Sequence, residues 1–354
     1  MKICVIGTVG VPASYGGFET LVDRLIDSSS AEFYVYCSAK HYPDGVPEYK
    51  GAKLIYIPLN ANGVASIFYD IFSMIHALFN GHKNFLVLGV SGAVFFPIVR
   101  LFPDIRLVTN IDGIEWQRDK WKGLAKIFLS FSEYFAVKFS TTVVSDNSAI
   151  TDYAFKRYKR MCETIAYGGD HAVRAEMLGV VSGENKFHID HYYALSICRI
   201  EPENNVHVIL EAFSITGLHL VFIGNWESSD YGRSLYRRYK DNKNIDLLKP
   251  IYCLDVLHGY RVSCSVYIHG HSAGGTNPSL VEMMHFAKPI VAYDCSFNKA
   301  TMEDKGNYFS CVDGLIKLLG KNTVLDDGVV LREIAQRRYT WDIVRTKYVE
   351  LFKT

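Results

Sequence analysis

Residues 265–294, SVYIHGHSAGGTNPSLVEMMHFAKPIVAYD, have the pattern of a β-strand, a glycine-containing loop, an α-helix and a second strand. Asn277 is a favoured residue just before a helix and Pro278 a favoured first helical residue, so the helix is predicted to begin there. The adjacent glycines 274–275 precede this helix start. The free backbone N–H groups there can donate hydrogen bonds to a diphosphate. Glu282 lies about one turn further on, where its carboxylate can accept hydrogen bonds from ribose hydroxyls. The plainer alternative is an ordinary strand-to-helix turn.

Short apolar strands alternate with helix-length segments along the whole chain, which is typical of an α/β fold. The predicted strands are KICVIG (2–7), FYVYCS (33–38), KLIYIPL (53–59), FLVLGV (85–90), RLVTNI (106–111), TTVVS (141–145), YYALSI (192–197), LHLVFIG (218–224), SVYIHG (265–270) and PIVAY (289–293). The 354 residues are enough for two domains. Ligands of such folds bind at the carboxyl ends of the strands.

The domain boundary is predicted where the pattern weakens, near 170–190. We expect one domain over residues 1–180 and a second over 181–338. Residues 339–354 have apolar side chains at helical spacing and are predicted to form a helix that packs back on the first domain.

Composition and charge argue against several classes of protein. Lys and Arg total 38 against 37 Asp and Glu, so the basic excess of a nucleic-acid-binding protein is missing. The eight scattered cysteines are typical of free buried thiols in a reducing compartment. The first residues resemble a strand and not a secretory signal, and no apolar stretch reaches the roughly 20 residues of a spanning helix. We therefore predict a cytoplasmic protein, at most peripheral to a membrane.

The segment 118–160 departs from this balance, because it has nine Lys or Arg against four Asp or Glu. One face of its predicted long helix carries Trp121, Leu124, Phe128, Phe131 and Phe135. Basic residues interleaved with aromatic ones suit a lipid-bearing ligand at an anionic membrane surface. A solvated helix face over a core stripe is the alternative.

Two further loops follow predicted strands and carry candidate binding residues. GTVGVPASYGGFE (7–19) lacks the spacing of a dinucleotide fingerprint, which disfavours a nicotinamide enzyme, but Gly16 and Gly17 allow close approach of the backbone to a ligand. In RIEPENN (199–205) a strand ends at Arg199, whose fixed fork of donors suits phosphate. A surface salt bridge is the alternative for this arginine.

Five motifs resemble, in the same order, a subgroup of bacterial rhamnosyltransferases of surface-polysaccharide synthesis. They are PASYGGFET (12–20), NIDGIEWQRDKW (110–121), IAYGGDHA (165–172), RIEPENN (199–205) and GGTNPSLVE (274–282). The wider family is that of the retaining GT-B glycosyltransferases, whose second domain has two glutamates eight positions apart just after a strand. The likeness covers nearly the whole chain. It implies the GT-B fold, an α/β architecture of two Rossmann-like domains facing each other across a cleft.

The resemblance also implies a nucleoside diphosphate sugar as donor. Glu282 matches the second glutamate of the family, which contacts the ribose. The first glutamate, which contacts the transferred sugar, is replaced by Gly274, and this favours a deoxy sugar over a hexose donor such as UDP-glucose. The family's phosphate-binding lysine is Asn204 here, whereas its arginine, Arg199, is present. The predicted donor-binding residues are Gly16, Gly17, Arg199, Asn204, His271, Gly274, Gly275, Thr276, Asn277 and Glu282.

Asp112 and Asp146 follow strands of the first domain and are candidates for acceptor contact. Many family members have a His near the position of Asp112, close to the transferred sugar. An Asp there can orient the acceptor hydroxyl and take its proton, or it simply shapes a turn. Asp146 is favoured instead as a helix N-cap. We predict Asp112 and Arg199 as catalytic residues, and as acceptor-binding residues Tyr15, Glu19, Glu115, Trp116 and Asp146.

A metal site is not expected. The pairs His188/His191 and His269/His271 lack carboxylate or thiolate neighbours in sequence, and no D-x-D motif occurs. A cleft that stabilises diphosphate through an arginine and helix termini needs no metal. His271 is retained as a contact to sugar or phosphate.

The resemblance implies dTDP-L-rhamnose as the donor and retention as the outcome. The predicted function is thus metal-independent and cofactor-independent transfer of L-rhamnose to a lipid-linked oligosaccharide. The reaction would take place at the cytoplasmic membrane face in the synthesis of capsule or another surface polysaccharide. Two alternatives remain. One is a GT-B binding or scaffold protein without turnover, since Gly274 and Asn204 depart from the family. The other is a sugar-nucleotide epimerase built on the same plan.

Overall fold

The computed structural model describes residues 1–13, 16–27, 31–117, 121–174, 192–320 and 327–353. The chain divides into two compact units. The first unit comprises Met1–Ala166 together with Trp341–Thr354, and the second comprises Tyr167–Thr340. Each is an α/β unit built on one mainly parallel sheet, as the strand pattern predicts.

Strands and helices alternate in both units. The strands are β1 Lys2–Ile6, β2 Glu32–Ser38, β3 Glu48–Tyr49, β4 Ala52–Ile57, β5 Asn84–Leu88, β6 Arg106–Asn110, β7 Thr142–Ser145, β8 Glu163–Thr164, β9 Ala194–Ile197, β10 Leu220–Ile223, β11 Ile245–Leu248, β12 Val266–His269, β13 Ile290–Tyr293 and β14 Asn307–Phe309. The helices are α1 Gly17–Leu25, α2 Ala65–Phe79, α3 Phe96–Val99, α4 Gly123–Phe139, α5 Ser148–Tyr158, α6 Val206–Thr216, α7 Asp230–Tyr239, α8 Leu254–Ser263, α9 Pro278–Met284, α10 Ser296–Met302, α11 Val312–Leu319, α12 Gly328–Arg338 and α13 Trp341–Glu350. Every strand predicted from the sequence is present.

The first unit has an eight-stranded sheet with the order β3-β4-β2-β1-β5-β6-β7-β8, in which only the β3–β4 pair is antiparallel. The connection from β1 to β2 runs to one side of β1, whereas those from β4 through β8 run to the other. Because such crossovers are right-handed, α1 covers one face of the sheet and α2 to α5 cover the opposite face. Buried on both faces, the central strands are apolar runs such as KICVI in β1.

The second unit has a six-stranded parallel sheet with the order β11-β10-β9-β12-β13-β14. This is the 3-2-1-4-5-6 order of the Rossmann fold, and β4-β2-β1-β5-β6-β7 of the first unit repeats it. Its core packs α6 against β10, through side chains such as Ile209, Phe213 and Phe222. Both units are thus Rossmann-like.

The division between the units lies after Ala166, about 14 residues before the predicted boundary at 180. The reason is local packing, because Gly169 N donates to Tyr339 O at 2.8 Å and a Cβ on Gly169 would lie 2.7 Å from Glu282 N. These contacts tie the GGD motif to the second unit. Helix α13 instead contacts α1 and belongs to the first unit, where Asn110 Nδ2 donates to Tyr348 Oη at 2.7 Å.

All eight cysteines are free thiols, and Cys253 and Cys311 are exposed where the sequence predicts buried ones. Both lie at the start of a helix, just before α8 and α11. None of the helices in the described ranges is long and apolar enough to cross a membrane.

Candidate functional site

The candidate donor site lies at the carboxyl end of the sheet of the second unit. The strand order reverses between β9 and β12, and the loops after these two strands, 198–205 and 270–277, lie on either side of the reversal. Crevices at such a reversal are where open α/β sheets bind nucleotides. Both loops contain predicted donor-binding residues.

Hydrogen bonds fasten the two loops to each other. Asn205 Nδ2 donates to Gly270 O at 2.9 Å, and Ser272 donates to Glu203 O through its backbone N at 3.0 Å and its Oγ at 2.8 Å. A Cβ on Gly270 would lie 2.1 Å from Asn204 O, so only glycine allows this close approach. The loops therefore form one preorganised surface.

Arg199 and Asn204 occupy different parts of this surface. The Arg199 side chain is 53% exposed, and its Nη1 lies 3.6 Å from Glu201 Oε1. Asn204 is buried, and its Nδ2 donates to Arg199 O at 2.7 Å. Asn204 thus binds the backbone at Arg199. The sequence-based prediction is instead that the Asn204 side chain contacts the donor. The loop fold provides one exposed cation here.

The glycine loop and the start of α9 have the predicted local structure. Asn277 caps the helix, accepting from Ser279 N at 3.0 Å and from Ser279 Oγ at 2.8 Å, and Pro278 is the first helical residue. Thr276 is buried. Gly274 has φ +100°, a conformation that other residues rarely adopt, although open space surrounds its Cβ position. This backbone conformation favours glycine at position 274, whereas the open space around its Cβ position would admit a side chain.

Glu282 is held by charged partners on both of its carboxylate oxygens. The Arg261 guanidinium, itself buried, donates to Oε2, and His171 Nε2 lies 3.4 Å from Oε1. Burial alone would raise the pKa of Glu282, but the charge of Arg261 and the hydrogen bond of His171 outweigh it and lower the pKa below its ordinary value. Glu282 is consequently an ionised acceptor at neutral pH. Arg261 Nε and Nη1 have no hydrogen-bond partner among the described residues.

The histidine pair at the end of β12 forms a stack. The rings of His269 and His271 are 4.5 Å apart between centroids and 18° from parallel. Burial, reinforced by His271, holds the pKa of His269 well below its ordinary value, so its ring is neutral. In the described part of the chain no group of three or more His, Cys, Asp or Glu is placed to hold a metal ion. His188 and His191 lie outside the described residues.

The first unit has a cavity of about 630 Å³ at the corresponding reversal, between β1 and β5. A Cβ on Gly7 would lie 2.1 Å from Leu88 O, which fixes how closely the two strand ends approach. The cavity is lined by Gly7, Phe18, Ala61, Asn62, Gly63, Val64, Ser66, Ile67, Asp70, Leu88, Gly89, Val90, Ser91, Ile111, Asp112, Glu115, Trp121, Leu124, Ala125, Phe128 and Leu129. Its polar groups include three carboxyl groups in a largely apolar wall.

Two of these carboxyl groups belong to predicted residues. Asp112 has φ +58°, and its backbone N donates to Asn110 Oδ1 at 2.8 Å, so the end of β6 turns sharply there. Glu115 Oε1 accepts from Trp121 Nε1 at 2.8 Å. Both side chains line the cavity. The turn conformation of Asp112 is compatible with either role considered for it.

The third carboxyl group, Asp70, is one that the sequence analysis missed. It lies in α2, is buried, and accepts a hydrogen bond from Gly92 N at 3.1 Å through Oδ2. Burial raises its pKa to about 8, so it is mostly protonated at neutral pH. A lone carboxyl in the otherwise apolar helix ASIFYDIFSMIHALF is the signal that could have revealed it.

Each part of the chain matches a known protein family. Residues 182–321 match the family described as glycosyl transferases group 1. The second unit contains a glycosyltransferase group 1 domain. Residues 1–170 match a family described as a domain of unknown function, DUF1972. Among curated proteins, none matches this sequence.

Solved structures share the fold of the whole chain, including that of the glycosyltransferase domain. Sucrose-phosphate synthase from Thermosynechococcus elongatus has a TM-score of 0.78 at 14% identity, over 99% of this chain and 98% of its own. HepE from Anabaena, solved with UDP-glucose, has a TM-score of 0.71 at 14% identity, over 99% and 98%. A glycosyltransferase from Rickettsia africae has a TM-score of 0.71 at 11% identity, over 99% and 97%. The fold is GT-B with two Rossmann-like domains, and with the glycosyltransferase domain it supports a glycosyltransferase.

Other predicted residues lie away from the cavity, in the unit that precedes the glycosyltransferase domain. Glu19 Oε1 accepts from Val9 N at 3.1 Å, and Glu19 Oε2 would lie 2.2 Å from a Cβ on Gly16. Glu19 therefore fastens the first loop, and Gly16 makes room for it. Gly17 begins α1. Tyr15 lies outside the described residues.

Trp116 and Asp146 are also placed differently from the prediction. Trp116 Nε1 donates to Tyr153 Oη at 3.1 Å, and the Arg157 guanidinium lies 4.5 Å from its ring. Trp116 therefore packs toward α5 and not into the cavity. Asp146 is buried, and the N-cap of α5 is Asn147, so the interpretation of Asp146 as a cap is wrong. Of the residues predicted to contact the acceptor, Asp112 and Glu115 line the cavity.

Proposed function

We propose that this protein transfers a sugar from a nucleoside diphosphate donor to a hydroxyl of a lipid-linked saccharide. The observation that carries the proposal is the ionised Glu282, held by Arg261 and His171 within a group 1 glycosyltransferase domain at the reversal of a Rossmann sheet. An oriented carboxylate of this kind accepts two ribose hydroxyls, which is how such folds hold nucleotides.

The diphosphate is assigned to the fastened loops. Arg199 is the exposed cation at the end of β9, and Gly274, Gly275 and Thr276 offer backbone N–H groups from the neighbouring loop. As the glycosidic bond breaks, negative charge grows on the leaving diphosphate. A fixed guanidinium stabilises that charge without reorganisation, so Arg199 acts on the transition state more than on the ground state.

The acceptor is assigned to the cavity of the first unit. Asp112 accepts the proton of the attacking hydroxyl, and Glu115 accepts a hydrogen bond from a neighbouring sugar hydroxyl. Asp70, protonated at neutral pH, donates a hydrogen bond to an acceptor oxygen. A few hydrogen-bond donors and acceptors in an otherwise apolar wall are typical of a site that orients a sugar.

The proposed donor is dTDP-L-rhamnose and the proposed outcome is retention. The loop at Gly274 has no carboxylate to bind sugar hydroxyls, which favours a deoxy sugar with a less polar face. Retention follows if the hydroxyl attacks from the face that the diphosphate leaves, since no protein nucleophile is then needed. His271 is proposed as a secondary donor contact.

A donor-binding protein without turnover is the second candidate, because Gly274 supplies no side chain to the donor sugar and the buried, uncharged Asn204 supplies no cation to the phosphates. The test is incubation of the purified chain with dTDP-L-rhamnose, with and without a lipid-linked saccharide, followed by mass spectrometry. Rhamnosylated acceptor and free dTDP support transfer. Binding of the nucleotide without product supports the second candidate, and a changed donor sugar without acceptor indicates epimerisation.

A further inference from the structure

The outer side of helices α2, α3 and α4 is apolar. Its exposed apolar residues, together called the apolar face, are Val64, Phe68, Phe72, Ile98, Leu101, Phe102, Leu124, Ile127, Phe131 and Tyr134. In α2 and α4 they recur every three or four residues, so each helix presents one continuous stripe. A water-soluble surface seldom groups so many large apolar side chains.

Helix α4 has large apolar side chains exposed on its outer side. Leu124 is 84% and Phe131 55% exposed, although the sequence places both on its apolar stripe. The buried side instead carries Ser132, whose Oγ donates to Val90 O, and Glu133, whose Oε1 accepts from Tyr153 Oη at 2.7 Å. Leu129, Ala136 and Val137 are buried on that side as well, so α4 has apolar side chains on both sides and the outer set is exposed.

The stripes belong to one surface, because the three helices pack in sequence on the same face of the first sheet. Helix α4 contacts α3 and the 3-10 turn Ala93–Phe95 that precedes it. Helix α2 reaches the same turn through Asp70, whose Oδ2 accepts from Gly92 N. The apolar face therefore extends across all three helices.

The charges around the apolar face are mainly positive. Helices α2, α3 and α4, all of whose residues are described, have only two carboxyl groups, Asp70 and Glu133, and both are buried. The exposed cations on or next to these helices are Arg100, Lys122, Lys126 and Lys138. The exposed carboxylate beside Phe102, Asp104, is paired with Lys83 Nζ at 2.9 Å. A second copy docked face to face would bring like charges together, whereas anionic lipid headgroups complement them.

The apolar face meets the acceptor cavity. Val64 and Leu124 are exposed members of the face and also line the cavity. A saccharide bound beside Asp112 would thus have its lipid end next to the apolar side chains. This relationship gives the surface a role in the proposed reaction.

We propose that the apolar face docks the protein on an anionic lipid bilayer, with its phenyl and aliphatic side chains entering the headgroup region. The purpose given to docking, delivery of a lipid-linked acceptor to the cavity, rests on the proposed function. Docking itself needs no substrate. It places the first unit against the membrane through helices that do not span it.

Co-sedimentation with vesicles tests the proposal. The wild-type chain binds vesicles of phosphatidylcholine with phosphatidylglycerol, and binds pure phosphatidylcholine vesicles or high-salt samples more weakly. Ile127→Gln, which lies outside the cavity lining, lowers partitioning at least about fivefold because it removes an inserted aliphatic side chain. The matched control is Ile215→Gln on α6, since Ile215 is 61% exposed against 67% for Ile127. The control partitions like the wild type.

Further measurements separate the outcomes. Equal partitioning of Ile127→Gln and wild type, or no binding to anionic vesicles, overturns the proposal. A wild-type dimer in sedimentation velocity that Ile127→Gln dissociates also overturns it, because a second copy then covers the face. Ile127→Gln is expected to retain full turnover on a short-chain, water-soluble acceptor. Absence of turnover in both proteins would contradict the proposed function, and the vesicle result would stand independently.

Discussion

Glu282 on α9 and Arg261 on α8 form an ion pair inside the second unit, with the arginine side chain almost fully buried. The pair fixes one carboxylate oxygen, while the other lies near His171 of the IAYGGDHA motif (165–172). Three separate segments therefore determine the orientation of the carboxylate. The residue proposed to hold the ribose is part of the framework of this unit.

Replacing Arg261 tests that dependence. Arg261→Met leaves the Glu282 carboxylate without its main partner, and we expect the free energy of unfolding of the second unit to fall by about 3–5 kcal/mol. Urea denaturation measures this loss. Arg233→Met in α7 of the same unit is the control, because its partner Asp230 is fully exposed and the loss should stay below about 1 kcal/mol. Equal, small losses in the two variants would contradict a structural role for the pair.

The buried Asp70 predicts how stability depends on pH. Burial raises its pKa from 3.8 to about 8, so between these values the folded chain retains a proton that the unfolded chain releases. Stability from this group is full below pH 3.8 and falls by about 1.4 kcal/mol per pH unit up to pH 8. Asp70→Asn removes the dependence and makes the first unit more stable than wild type at pH 8. Parallel pH profiles of the two proteins would refute the assignment.

Arg199 is expected to act mainly on the chemical step. Arg199→Ala should lower kcat/KM by at least about 100-fold, the scale of losing one preorganised charge contact to the leaving group. Steady-state assays with dTDP-L-rhamnose measure it. Arg337→Ala, which removes an exposed arginine paired with Glu303 in the same unit, should leave kcat/KM unchanged. Near-normal turnover of Arg199→Ala would remove this residue from the mechanism.

The conformation of Gly274 gives a prediction about the donor loop. Gly274→Ala meets no atom within 4 Å but strains the backbone by about 1–3 kcal/mol, so the loop shifts. Nucleotide affinity should fall about tenfold, equivalent to about 1.4 kcal/mol. Titration calorimetry with dTDP checks this. The control Gly314→Ala lies in α11 with ordinary contacts and should bind as wild type does.

The sequence predicts the fold well where local signals are strong. The ten predicted strands are apolar runs, and the start of α9 is specified by Asn277 and Pro278. Strand β11 (IDLL) has only four residues, one of them charged, and lies at a sheet edge. Strand β14 has only three residues. Both are too short to show a clear apolar pattern in the sequence. The boundary after Ala166 depends on contacts of Gly169 with residues far along the chain.

The site is harder to predict because side-chain partners depend on tertiary structure. No spacing rule links Arg261 or His171 to Glu282. The burial of Asn204 depends on the loop after β9, in which its side chain donates to Arg199 O. Asp70 was missed because its neighbours suggest only a core helix.

The most direct test of the central claim is the shift in thermal unfolding temperature produced by a panel of nucleotide sugars. We expect a clear rise with dTDP-L-rhamnose, little change with UDP-glucose, and loss of the rise in Glu282→Gln. The control variant Glu303→Gln changes a half-buried glutamate of the same unit, which is paired with Arg337 and Arg338, and should retain the rise. A rise with UDP-hexoses alone would contradict the proposed donor, and a rise that persists in Glu282→Gln would contradict the proposed site.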